Sequence, residues 1–481
     1  VFQPGGITQE AIDYISLPLY SKANMSMTQY NGYVTGDLGA YGVTVPWADE
    51  GVQLVLGAEY RQDRMVFDLD NNYNNGNAAG QGGATADVSG EVSVQEWFIE
   101  ARVPLLQNRA FFTDLSLDLR YRNSSYNSGI DADTWNIGLG WSVTDSWKLR
   151  GSVSQAVRAP NINELFQPQT IGLWQGTDPC ATSTPELSEA ECARTGVPDG
   201  FYGFVSANPA SQYNGKFGGN PDLGPETSDS WTVGVLWTPE NVSGLSVSVD
   251  YWSIEVEDAI DNIDPEFIIR QCAAGIDFYC PLINRNPQNG NVWVGSGPNA
   301  PHVLATNINI GFFAVAGVDL NANYLMDVGN HGLNFTLRGT YLTKWDDQPL
   351  PGGVVNDLLG TWGNPGDRPI PEWKHTFSTL WVMPFGLDMN VNWRYVGKAD
   401  KFGGDGFNAK AKNFFDVALS YNVNWGNHNV LFTGGINNIF DTEPNVHGTF
   451  NDAAYSNGNT IPGAWDPLGR YWFVGATYSI D

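Results

Sequence analysis

The sequence predicts an all-β protein: a transmembrane antiparallel β-barrel with long external loops and short periplasmic turns. Three observations predict it: alternation of apolar and polar residues with period two, alternation of long and short connections, and a composition suited to strands and turns. Of the 481 residues, 16% are charged and 13% aromatic, and 55 are glycine. An average soluble domain is about a quarter charged, and helices favour Ala, Leu, Glu and Lys over Gly and aromatics. No apolar run approaches the ~18 residues of a membrane helix. A barrel crosses instead with strands of about 10 residues, apolar on one face.

Successive side chains of a strand point to opposite faces. From Phe415 to Trp425 the odd positions are Phe415, Val417, Leu419, Tyr421, Val423 and Trp425, set against Asp416, Ala418, Ser420, Asn422 and Asn424. Leu387, Met389, Val391, Trp393 and Tyr395 likewise oppose Asp388, Asn390, Asn392 and Arg394. Leu115 to Arg122, Trp135 to Val143, Leu245 to Tyr251 and Leu333 to Tyr341 repeat the pattern. Aromatics sit towards the ends of several of these segments, as girdles around a lipid-facing band would. A soluble sandwich also alternates, but its inner face rarely opposes so many Asn, Asp and Arg.

Fifteen strands are expected, over 24–38, 51–67, 91–104, 110–124, 131–144, 147–157, 226–238, 244–258, 305–324, 331–344, 372–384, 386–398, 412–424, 428–438 and 469–480. Gaps at 68–90, 125–130, 158–225, 259–304, 345–371, 399–411 and 439–468 are mostly long, and those between them are short turns. Membrane barrels combine short periplasmic turns with long external loops, which puts the last strand's end on the periplasmic side. An odd strand count leaves a sheet edge unsatisfied in lipid. Further strands are therefore expected outside this chain, with Val1 as a cleavage boundary or with another polypeptide carrying the remainder.

Three segments bear motifs. The first is Arg158-Ala159-Pro160 followed by Glu164-Leu165-Phe166; the second is Asn220-Pro221-Asp222-Leu223-Gly224-Pro225-Glu226; the third is Asn438-Ile439-Phe440-Asp441, ahead of a closing strand. Their order over about 147–480 resembles the C-terminal half of TonB-dependent outer-membrane receptors. That resemblance implies a 22-stranded barrel filled by an N-terminal plug, of which residues 1–481 supply roughly the last fifteen strands. The plug, the TonB-contacting segment and about seven strands would lie outside the chain. The tail Tyr478-Ser479-Ile480-Asp481 departs from the family, which usually ends on an aromatic. From the residues themselves, Arg158 ends one strand and Glu226 opens the next, so an ion pair at the loop root is expected. Pro160 and Pro221 cannot donate to a ladder and mark where pairing stops.

The four cysteines, Cys180, Cys192, Cys272 and Cys280, are spaced C-x11-C and C-x7-C, each pair within a predicted loop. Neither spacing is that of a zinc site. Two loop disulfides formed in an oxidising compartment are expected. Three connectivities are open, and local pairing gives the shortest loops. The five histidines are scattered without metal-ligand spacing, and no phosphate loop, nucleophile elbow or HExxH motif occurs. The carboxylates Asp346 and Asp347 read as solvated loop groups. No enzyme activity, metal or cofactor is expected, and a net charge of −28 argues against a nucleic-acid partner.

Ring-bearing loop residues are the candidate ligand contacts: Trp174, Tyr202, Trp293, Trp345, Trp362 and Trp465, with Tyr213, Phe217 and Tyr455. Such rings either stack on a ligand or pack the loops together. The longest loop holds seven acids against three bases, and 439–468 holds four acids and no Lys or Arg. That field disfavours an anionic ferric siderophore and suits a neutral oligosaccharide, a peptide or a cationic complex. Arg120, Arg122, Arg338 and Arg394 are expected to face the lumen, lining a path or pairing with plug carboxylates. The resemblance implies a bacterial outer-membrane receptor that imports a scarce small ligand using energy from the TonB–ExbB–ExbD complex. Its other contacts would be outer-membrane lipid and lipopolysaccharide. The alternatives are a passive porin and a surface glycan-binding β-protein.

Overall fold

Fifteen long strands run in chain order: β1 (Ser21–Asp37), β2 (Gln53–Leu69), β3 (Val88–Arg109), β4 (Phe112–Tyr126), β5 (Asp131–Ser142), β6 (Trp147–Arg158), β7 (Glu226–Trp237), β8 (Leu245–Glu257), β9 (Phe312–Val328), β10 (His331–Gln348), β11 (Trp373–Val382), β12 (Leu387–Val396), β13 (Lys412–Trp425), β14 (His428–Asn437) and β15 (Tyr471–Ile480). The computed structural model describes residues 6–77, 84–295, 299–309, 311–348, 354–363, 368–404, 406–448 and 459–480. Each strand pairs antiparallel with the next, giving one continuous meander from β1 to β15. Among the described residues, β1 pairs only with β2 and β15 only with β14. No helix among them is long and apolar enough to cross a membrane.

The strands match the sequence expectation one for one, and the differences at their ends have local causes. The third strand was expected to end at residue 104. Instead the register shifts between Pro104 and Leu106, a bulge that absorbs the proline, and pairing continues to Arg109. The ninth strand starts at Phe312 rather than 305, because Asn307–Asn309 pairs with Ile260–Asn262 in the loop above. The tenth runs on to Gln348, so Asp346 and Asp347 stand in a ladder against Asp357 and Asn356 rather than in a loop.

Tight turns join β9 to β10 and β13 to β14, where Gly329 and Gly426 take φ of 62° and 61°, a region open to glycine. The opposite end carries the long loops, which makes it the external end of a membrane barrel. Two connections depart from the rule. The external turn after β4 spans only 127–130, and the periplasmic connection 38–52 is long. The latter is tied down by Gln107, whose Oε1 accepts the Asp49 and Glu50 N–H groups at 3.0 Å each.

The apolar rows point outwards. Ile137, Leu139, Val233, Leu419, Tyr421 and Phe432 are exposed. The polar rows bond across the opposite face: Arg122 Nη1 to Glu96 at 3.0 Å, Thr340 Oγ1 to Asp319 at 2.7 Å, and Asn323 Nδ2 to Asn334 at 2.8 Å. Arg150 reaches over a neighbouring strand to Asp250, Nη2 to Oδ2 at 2.6 Å. Gly234 lies between them in register, and a Cβ there would meet Asp250 Oδ1 at 1.8 Å, so the pair passes over a residue without a side chain. Outward ring contacts fall at two heights: Trp97–Tyr121, Trp231–Tyr251 and Trp393–Phe415 towards the loops, and Phe112–Trp141, Trp147–Trp237 and His428–Tyr478 towards the turns. Among the described residues, all four buried apolar clusters lie at the loop end, built mainly from loop residues, and none fills the space between two sheets. Outward grease, an inward polar wall and interfacial rings are the arrangement of a membrane β-barrel.

Candidate functional site

The external loops build two packed bodies, and a cavity lies beneath one of them. The first body comes from the loops 159–225 and 259–311. Thr170–Gln175 pairs antiparallel with Gln212–Phe217, which pairs parallel with His302–Leu304, and that with Ile283–Asn284. The sheet therefore takes two adjacent strands from each of two separate loops. Trp174, Tyr213, Ile268, Ile269, Val292 and Val303 form its core. Cys180 is bonded to Cys192 and Cys272 to Cys280, the local pairing. At the centre, Arg285 Nη1 contacts Asp178 Oδ2 at 2.6 Å, both side chains 1% exposed. Arg285 also donates to Thr195 O and Gly290 O.

The root of this body carries the first two sequence motifs. Arg158 Nη2 donates to Glu226 Oε1 at 2.6 Å, and its Nη1 donates to Glu164 Oε2 at 3.0 Å. Glu164 closes a capping box with Asn161 on the short helix Ile162–Phe166, which starts immediately after the buried Pro160. Glu226 Oε1 also accepts the Ile260 N–H at 2.8 Å, tying the second loop to the root of the first. Asn220 Nδ2 donates to Asn307 O at 3.0 Å, and Pro221 turns the chain at the surface beside it.

The second body comes from three other loops. Trp362, Ala399, Ala409, Phe414, Ile461 and Trp465 are buried together, and Thr361–Trp362 pairs parallel with Asp400–Lys401. Beneath it lies a cavity of about 680 Å³, walled by β9 to β13 and roofed by 462–467. Its wall presents Asp319, Arg338, Lys374 and Arg394, and its roof Trp465 and Asp466. Arg394 is held by Asp416 (Nε–Oδ2 2.7 Å) and by Asp466 (3.3 Å). Among the described residues, the side chains of Arg338 and Lys374 have no ion pair or hydrogen bond. Their register neighbours are neutral: Asn321 and Thr376 beside Arg338, Thr340 and Val396 beside Lys374. Other wall arginines are matched across strands, Arg102 to Asp114 at 3.5 Å and Arg120 to Glu100 at 3.7 Å. A second cavity of about 470 Å³ lies towards the periplasmic end, beside Glu100, Arg102, Asp118 and Arg120.

The candidate rings mostly hold the loops together. Trp174 stacks on Tyr213 at 5.0 Å and donates from Nε1 to Asn214 O. Tyr202 donates its hydroxyl to Leu187 O, and Trp293 its Nε1 to Ser206 O. Phe217 packs against the same core. Trp345 meets Phe313 edge-on at 5.5 Å, and Trp362 is buried with its Nε1 on Phe407 O. Trp465, although buried, reaches the cavity wall. Tyr455 lies outside the described residues. No group of three or more His, Cys, Asp or Glu among the described residues is placed to hold a metal ion.

Residues 5–439 match the model of the TonB dependent receptor-like β-barrel. This chain belongs to the TonB-dependent receptor β-barrel family. A TonB-dependent receptor barrel resides in the outer membrane of Gram-negative bacteria, and the outward apolar rows suit its lipid. Solved structures share this receptor's fold. A mutant ferric enterobactin receptor (PfeA) of Pseudomonas aeruginosa in complex with enterobactin matches with TM-score 0.60 at 14% identity, over 95% of this chain and 54% of that one. The siderophore receptor PirA of Acinetobacter baumannii matches with TM-score 0.56 at 16% identity, over 95% and 55%. The FrpB iron transporter of Neisseria meningitidis gives 0.50 at 13% identity, over 94% and 55%. The chain thus spans about half the length of each. No curated protein sequence matches it.

Proposed function

We propose that this chain is the wall and external loops of an active-transport receptor. The whole receptor takes a scarce small ligand at the loop end and imports it with energy from the TonB–ExbB–ExbD complex, delivered through a plug segment outside residues 1–481. It acts by binding and transport, without enzymatic chemistry. Family membership supports the transport reading, and the names of the similar structures point to iron-carrying ligands. The observation that carries the ligand class is the pair Arg338 and Lys374, wall cations that make no ion pair among the described residues although Asp319 and Asp466 line the same cavity. Both side chains are exposed in the cavity, where an unpaired cation favours an incoming anionic group, and hydrogen bonds to charged groups contribute about 1.5–3 kcal/mol each. We therefore read the ligand as one that presents anionic oxygens, a ferric siderophore being the class that fits. The acid excess of the longest loop favours a second reading, a neutral oligosaccharide.

Uptake by cells carrying the full-length receptor separates these readings. Labelled ferric siderophores and labelled maltooligosaccharides would be offered with and without a working TonB. On the first reading, siderophore uptake needs TonB, and Arg338→Ala with Lys374→Ala lowers siderophore affinity at least tenfold. Uptake that persists without TonB would return the protein to the passive channels. Siderophore binding that ignores both substitutions, beside tight oligosaccharide binding, would overturn the anionic reading alone.

A further inference from the structure

The two disulfide-bearing loops are separated in sequence by β7 and β8, yet their sheet and main core draw on both. Gln212–Phe217 of the first loop pairs with His302–Leu304 of the second. Asn214 Nδ2 donates to the carbonyls of Gly295 and Pro301, at 3.1 and 3.0 Å. Arg270 Nη2 contacts Glu186 Oε2 at 2.8 Å, and the Thr177 N–H is accepted by Glu266. Arg194 Nη1 donates to Ala273 O at the end of the helix Pro265–Ala273. The buried Asp178 belongs to the first loop and its partner Arg285 to the second. Each disulfide, by contrast, closes within its own loop.

We infer that these loops form one cooperative unit, a stapled cap in which neither loop keeps its fold without the other, with Asp178–Arg285 as its keystone. The disulfides restrict each loop separately but cannot join them. The joining is done by the parallel strand pair, the shared core and one ion pair that water does not reach. Removing the Asp178 charge leaves the Arg285 guanidinium buried without its counter-ion, a penalty that falls on the interface rather than on either loop. A disturbance at one loop is thereby transmitted to the other. This goes beyond the transport reading and does not depend on which ligand is carried.

Amide hydrogen exchange on the receptor in detergent micelles tests it. In Asp178→Asn, exchange should rise about tenfold or more together in Gln212–Phe217 of the first loop and Pro265–Ala273 of the second, while Leu387–Val396 of the wall stays unchanged. The double substitution Cys272→Ser with Cys280→Ser, confined to the second loop, applies the same test from the other side and should loosen Gln212–Phe217. Exchange that rises only in the loop carrying the substitution, or in neither loop, overturns the inference.

Discussion

Arg285 and Arg158 each hold carboxylates, and burial separates what the two contribute. Arg158 is 45% exposed, so water screens its contacts with Glu164 and Glu226. Arg285 and Asp178 are shielded almost completely. Exposed ion pairs contribute about 0–1 kcal/mol, whereas breaking one partner of a buried pair costs about 3–5 kcal/mol. Asp178→Asn should therefore lower the opening free energy of the loop body by about 3–5 kcal/mol, and Arg158→Ala by about 1 kcal/mol. Amide exchange measured on both variants gives the ratio, and equal effects would refute the ranking. The two pairs also differ in how far a sequence reveals them. Arg158 and Glu226 flank one loop at strand ends, so antiparallel pairing brings them together. Asp178 and Arg285 sit in the middles of different loops, 107 positions apart, and no periodicity or spacing links them. The same holds for the rings: a sequence marks Trp174 and Trp362 as loop aromatics but not which way they face.

At the scale of the strand, one side meets lipid and the other a polar interior, so neighbouring positions answer oppositely to the same substitution. Leu419 points outwards, while Ser420 stands on the luminal face between Asp388 and Thr433. Leu419→Arg puts a charge into hydrocarbon and should destabilise the barrel by about 2–4 kcal/mol. Ser420→Arg gains a carboxylate neighbour and should cost less than about 1 kcal/mol. Urea unfolding in lipid vesicles reads both, and the reverse order would mean that the faces are exchanged. The period-two signal made the strands legible, because a half-lipid, half-water environment imposes it residue by residue. Strand ends were less legible. The bulge at Pro104 and the loop pairing of Asn307–Asn309 are settled by partners distant in sequence. The luminal orientation of Arg338 and Arg394 followed from alternation. That Arg394 is matched rests on Asp416, a diagonal neighbour standing opposite Asn392, and on Asp466 from a distant loop, which alternation along one strand does not reveal.

For the molecule as a whole, charge acts differently at two ranges. The net charge of −28 and the acid-rich longest loop set the field at a distance, while Arg338 and Lys374 act only at contact. Composition reports the distant field and is silent on the local one, so a tally of loop charges ranks ligands by approach rather than by grip. An anionic ligand should accordingly arrive faster as salt rises, since the Debye length shrinks from about 30 Å at 0.01 M to about 8 Å at 0.15 M. Stopped-flow association with the receptor at those two salt levels checks this. An on-rate that falls with salt would show that the mouth attracts anions, contrary to its acid excess.

One feature of the meander also constrains its surroundings. β1 and β15 both travel from the loop end to the turn end, as the first and last members of any odd alternating series must. Laid side by side they would run in the same sense, a seam unlike every other junction in this sheet. A seam of opposite sense on both flanks requires an odd complement of intervening strands, one, three, five or seven, and never an even one. Parity thus limits what can close the ring before a single residue of the complement is named.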